Sequence, residues 1–140
     1  MKLISGLLVV GFLAAMALPA AAEPLTLSVT GGEMVTLPAG GVLGLEGSGF
    51  TLDMVAVIDQ RCPSTADCYW EGMIRAEFVV NGTDRLILCN LCDDGSRDGA
   101  VPGYGMSLVR MLPDTAQIEA LGRAAVVADY TVILTVAAAP

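Results

Sequence analysis

The sequence predicts an all-β domain, an antiparallel two-layer sandwich of about eight short strands, with an immunoglobulin-like arrangement as one form of it. Three observations predict it. Apolar and polar residues alternate with period two through most of the chain from Leu25 to Val136. Gly, Pro and Asn-Gly groups interrupt those runs where turns are needed. The stretch 23–140 fits one domain and leaves no room for two.

The elements justify this in order. Residues 1–22 read as an export signal. Met1-Lys2 is a positive start, Leu7 to Leu18 is the apolar centre, and Ala20-Ala21-Ala22 supplies the small residues read by a signal peptidase. Cleavage before Glu23 is expected. The apolar run is too short for a membrane span and no second run follows. A periplasmic or secreted soluble protein is therefore expected, with no membrane span in the mature chain.

Leu25 to Val29 alternates cleanly, and Gly31-Gly32 turns it toward Glu33 to Leu37. Pro38 to Gly41 breaks the chain before Val42 to Glu46. Phe50, Leu52, Met54, Ala56 and Ile58 share one face of a long strand ending at Asp59, and Val55 and Val57 on its other face mark it as central. Ile74, Ala76, Phe78 and Val80 alternate with Arg75 and Glu77. Asn81-Gly82 then favours a two-residue type I′ hairpin, which sets Val80 opposite Thr83, Ala76 opposite Ile87 and Ile74 opposite Cys89. Asn81-Gly82-Thr83 is also a glycosylation sequon, but turn chemistry accounts for it. Asp93 to Gly103 reads as a polar, Gly-rich loop. Tyr104, Met106, Leu108 and Arg110 mark the next strand, which Pro113 ends. Asp114 is placed to cap a short helix from Thr115 to Leu121. A last strand runs from about Val126 to Val136.

Charge and composition narrow the function. Beyond the leader there is no Lys and no His, and six Arg stand against fifteen acidic residues. Such a surface repels phosphate backbones, so nucleic acid is not an expected partner. Without His, any Ser-His-Asp or Cys-His mechanism is impossible, and the commonest transition-metal ligand is missing. No paired carboxylates stand out for glycoside hydrolysis. The expectation is a protein that is not an enzyme and carries no cofactor and no metal.

The most specific stretch is Asp59-Gln60-Arg61-Cys62-Pro63 followed by Cys68-Tyr69-Trp70-Glu71-Gly72. It resembles the D-S-R-C-P…C-x-W-x-G signature of small bacterial secreted proteins and lipoproteins that mostly lack an assigned function. Gln60 stands where that signature usually has Ser, and no Cys lies near the cleavage site to accept a lipid. Met106 to Pro113 and Asp129-Tyr130-Thr131-Val132 look like the group's later elements. The resemblance implies a β-rich fold and no particular activity.

Four cysteines allow three full pairings, and export makes two disulfides the default. The resembling proteins often carry only the first pair, which favours Cys62 with Cys68 and leaves Cys89 with Cys92. The hairpin register brings all four to one end, so cross-pairing and a four-thiolate metal site stay open. Cys89-Asn90-Leu91-Cys92 also has thiol-exchange spacing. Asp93 and Asp94 beside it would raise the thiol pKa and work against reactivity. The acidic run Asp93 to Gly99 lacks the closing Glu of a calcium loop and reads as solvated. Trp70 is expected to pack on a disulfide, Tyr69 to be the exposed ring, Arg61 to tie down its loop through Asp59, and Tyr130 to sit in the core or at a corner.

The functional expectation is a non-catalytic, exported cell-envelope module that binds an envelope protein or ligand or plays a structural part. A thiol-redox or metal-binding protein using the cysteine cluster is the alternative. Any recognition surface is expected at the cysteine end and not at Asn81-Gly82, built from Arg61, Tyr69, Arg97, Asp93 and Asp94.

Overall fold

The computed structural model describes residues 25–27, 32–45, 50–94 and 96–139. The leader read over 1–22 lies outside them, as do Ser28, Val29 and Glu46 at the expected strand ends. Among the described residues nine strands form: β1 (Leu25–Leu27), β2 (Glu33–Pro38), β3 (Val42–Leu45), β4 (Phe50–Asp59), β5 (Ile74–Val80), β6 (Asp84–Asn90), β7 (Asp98–Val101), β8 (Tyr104–Leu112) and β9 (Thr131–Ala138). One α-helix, α1 (Thr115–Ala120), and a single 3-10 turn at Val127–Asp129 lie between β8 and β9.

Two sheets stack as a sandwich, with strand orders β1-β3-β4-β5-β6 and β2-β9-β8-β7. All neighbours are antiparallel except β1 and β3, which run parallel. The inward faces supply one core. Leu43, Leu52, Met54, Ala76, Phe78 and Leu88 come from the first sheet, and Val35, Leu37, Leu108, Val132, Leu134 and Val136 from the second. Each of the larger side chains among these contributes about 1.5–3 kcal/mol by leaving water.

Three details differ from the sequence reading. The β5–β6 hairpin pairs Val80 with Asp84, Ala76 with Leu88 and Ile74 with Asn90, one residue away from the expected register. Asn81 and Gly82 do take the left-handed conformation, and Thr83 N–H donates to Val80 O at 3.1 Å, but Thr83 is an extra residue in the turn. A one-residue slip exchanges faces, so Leu88 is fully buried while Ile87 is 42% exposed. Second, the expected loop over 93–103 contains β7, and the last strand begins after the 3-10 turn, at Thr131. Gly99 permits β7 to lie over β6, because a Cβ there would meet Leu86 Cδ1 at 2.6 Å and Leu88 Cδ2 at 2.8 Å. Ser96 O accepts from Cys89 N at 2.8 Å and Arg97 O from Leu108 N at 2.9 Å, so one short segment touches a strand of each sheet.

The third difference positions the site. The β4–β5 register shifts between Met54 and Ala56. A β-bulge resets the alternation and re-aims the side chains that follow it. Val57 therefore pairs with buried Ala76, and Asp59 with buried Ile74. The even-numbered face expected for Ala56 and Ile58 ends at the bulge, and Val57, Asp59 and Arg61 take over the inward side.

Candidate functional site

Past the end of β4 the ladder continues without helix or turn. Gln60 N–H donates to Met73 O at 2.8 Å and Cys62 N–H to Glu71 O at 2.9 Å, which sets Arg61 across from Gly72. Two residues apart on extended backbone, Asp59 and Arg61 share a face. Asp59 Oδ1 accepts from Arg61 N at 3.1 Å and Nε at 2.9 Å, and Oδ2 accepts from Arg61 Nη2 at 2.7 Å. This bidentate geometry is the strong form of the pair. Tyr130 OH donates to the same Oδ2 at 3.1 Å, and Arg61 Nη2 reaches Pro113 O at 2.8 Å. One carboxylate thus joins β4, the cysteine loop and the chain leading into β9.

The electrostatics follow from that packing. Burial pushes the Asp59 carboxyl up, but the Arg61 hydrogen bonds and charge outweigh it and hold the group below its ordinary value. Arg61 is raised, chiefly by the hydrogen bond to Asp59. Tyr130 is pushed up to about 12 by burial first and then by the Asp59 charge and hydrogen bond.

The surrounding loops are fixed by local chemistry. Cys62–Cys68 and Cys89–Cys92 are the disulfides, with Cα separations of 5.9 and 5.8 Å. Among the described residues no cluster of Cys, Asp and Glu is arranged to hold a metal. Cleaving the first bond opens a short loop worth about 2 kcal/mol on the chain-entropy account. We expect the Cys62→Ser/Cys68→Ser double variant to lose roughly that much in urea unfolding, and an unchanged midpoint would contradict it.

Asp114 caps α1, accepting from Gln117 N at 2.9 Å while Gln117 Oε1 accepts from Asp114 N at 2.9 Å. Glu119 on α1 reaches back to the cysteine loop, accepting from Ser64 Oγ at 2.5 Å and Thr65 Oγ1 at 3.2 Å. Its carboxyl is lowered, first by the Ser64 hydrogen bond. Arg123 pairs with Asp129 at 2.7 Å, and Asp129 Oδ2 also accepts from Val126 N at 2.8 Å, which fixes the 3-10 turn. Those bonds, the Arg123 one foremost, bring Asp129 down to about 2.

Between these parts lies a cleft of about 640 Å³. Val57, Pro63, Ile118, Ala125, Val126 and Val127 form apolar walls, and Asp59, Arg61 and Tyr130 with Thr115 and Glu119 supply the polar lining. Asp59 is satisfied internally, whereas Arg61 Nη1 has no hydrogen-bond partner among the described residues. Val126 is 55% exposed at the cleft wall.

A second, shallower depression of about 410 Å³ is lined by Tyr69, Trp70, Glu71, Gly72, Leu91, Cys92 and Asp93. Leu91 adopts φ +65 in the tight turn between the bonded cysteines. Trp70 lines this depression beside Cys92 but remains 55% exposed, so it is not the buried cover expected.

The expected surface therefore divides. Arg61 belongs to the first cleft, and Tyr69 and Asp93 to the second. Asp94 is exposed and bonds within its own loop, accepting from Ser96 N at 3.0 Å and Ser96 Oγ at 2.5 Å. The Arg97 Nε donates to Leu108 O at 3.0 Å, and Arg97 lines neither cleft. Ile118, Ala125, Val126 and Val127 were not among the expected residues. Val126 and Val127 were read as the start of the last strand, whereas they enter and open the 3-10 turn. No protein-family model, curated protein or solved structure matches this chain.

Proposed function

We propose that the protein is an exported, non-catalytic binding module of the cell envelope, and that the cleft floored by Asp59, Arg61 and Tyr130 is its ligand site. The observation that carries this is the cleft's make-up. Its volume falls within the range of small-molecule sites, roughly 300–1,000 Å³. Its walls are apolar, and a fixed polar network at the base presents one open guanidinium nitrogen. That combination suits a compact, mostly apolar ligand bearing one anionic or acceptor group. Both carboxylates that line the cleft are already committed to protein donors, Asp59 to Arg61 and Tyr130 and Glu119 to Ser64 and Thr65, which favours binding over catalysis. Export is supported by the leader-like start of the sequence and by two disulfides. Cys89 is 1% exposed, which gives an attacking thiolate little access and supports a structural bond over an exchange centre.

Anilinonaphthalene sulfonate, an apolar ring system with one anionic group, is a suitable probe. The native protein should enhance its fluorescence saturably. Val126→Glu, which sets a like charge against the sulfonate and removes apolar wall, should weaken that binding about tenfold or more while Trp70→Ala leaves it unchanged. Absence of saturable binding, or full binding by Val126→Glu, would overturn the assignment.

A further inference from the structure

Tyr69 is entirely solvent-exposed and Trp70 is 55% exposed, side by side in the second depression. Large rings left in water at a concave spot mark recognition more often than chance exposure. Their backbone is not loose. The Cys62–Cys68 bond closes the chain immediately before them, and the ladder from Cys62 to Glu71 holds the chain immediately after. The backbone that carries the rings therefore needs little ordering on binding.

Charge identifies the ligand. Glu71 and Asp93 line the same depression, and neither joins any ion pair among the described residues. The three pairs that do form use Arg61, Arg85 and Arg123, none of which lines it. The chain as a whole carries a formal charge of -8. Aromatic faces attract cations through the ring quadrupole, and Arg does this best because its planar guanidinium stacks while its N–H groups reach carboxylates.

We propose that the Tyr69–Trp70 shelf, with Glu71 and Asp93 at its rim, docks an arginine side chain on an extended basic segment of a partner protein. The site is separate from the Asp59–Arg61–Tyr130 cleft and does not depend on it. A peptide source is favoured over a free small cation because two rings and two carboxylates line the depression, more groups than one small cation engages.

The test is calorimetric titration of the disulfide-intact protein with an acetylated, amidated peptide of alternating Gly and Arg. Saturable binding is expected, with loss on replacing Arg by citrulline, which keeps the shape and removes the charge. Trp70→Ala, and separately the double change Glu71→Gln/Asp93→Asn, should each weaken binding about tenfold. Asp84→Asn, which removes one charge at the far end of β6, should leave it unchanged. Melting curves of the variants should coincide with the parent, since all four residues are exposed or rim positions. Absence of binding, equal binding of the citrulline peptide, or equal loss in Asp84→Asn would overturn the proposal. So would choline binding as tightly as the peptide, which would make this a small-cation site.

Discussion

Gly72→Ala should lower stability by roughly 3 kcal/mol or more, taking Tm down by on the order of 10 °C. The backbone there has φ +81, which L side chains rarely adopt, and space is the larger obstacle. A Cβ would stand 2.0 Å from Gln60 O and 2.7 Å from Arg61 Cα. Both atoms are main chain, so no rotamer change relieves the clash. The ladder between 60–62 and 71–73 must open, carrying Arg61 away from Asp59. Gly82→Ala is the matched control. It also has positive φ, at +75, but nothing lies within 4 Å of the added carbon. It should cost only about 1 kcal/mol. Thermal unfolding followed by circular dichroism checks both, and similar melting of the two variants would refute the crowding argument.

The second large effect belongs to Asp59. Asp59→Ala leaves a largely buried guanidinium without its counter-charge and Tyr130 without its acceptor. We expect a loss of roughly 3 kcal/mol, with Tyr130→Phe costing only about 1 kcal/mol because it removes one neutral donor.

The pH dependence has two limbs. Asp59 and Asp129 are both lowered from 3.8, Asp129 to about 2. Their contribution is complete above the unfolded value and is lost as pH falls through the folded ones. Tyr130 is raised from 10.0 to about 12, so its contribution is complete below pH 10 and is lost as pH rises toward 12. In Asp59→Ala the acid limb should lose the Asp59 part and keep the parts of Asp129, Glu119 and Asp94, which are lowered as well. The alkaline limb should narrow but persist, since burial is the first cause of the Tyr130 shift. Urea midpoints across pH would show this, and an unchanged acid limb in the variant would count against the network.

Much of the sandwich was legible because period two is hard to mistake where one face is polar, as in β5, where Arg75 and Glu77 alternate with core residues. Register failed in β6 for the opposite reason. Leu86 and Leu88 alternate with Ile87 and Cys89, so both faces read as apolar and the pattern could not choose between them. β7 was missed because Val101 is the one strand former in its sequence, Asp98-Gly99-Ala100-Val101. Gly99 is there to let Leu86 and Leu88 pass, a tertiary reason invisible locally. The site was half legible. Arg61 binding Asp59 follows from their spacing, and the structure bears it out, as it does the two favoured disulfides. The bulge after Met54 leaves no mark in the sequence, yet it decides that Asp59 faces Tyr130. Much of the apolar wall comes from Ala125, Val126 and Val127 in and beside the 3-10 turn and from Ile118 on a six-residue helix, segments too short for periodicity to inform.

The segment Ser96–Arg97, bonded to β6 at one end and β8 at the other, bears on self-association. A terminal strand of a sheet normally offers a row of open amides that a second chain can extend. Near Cys89 that row is already answered by Ser96, and farther along, at Asp84 and Arg85, it is flanked by exposed charges. An intruding strand would have to displace a segment anchored to the opposite sheet, so growth of fibrils from this side is disfavoured by the architecture itself. On β2, the terminal strand of the other sheet, Pro38 has no amide to offer, and Met34 stands 68% exposed.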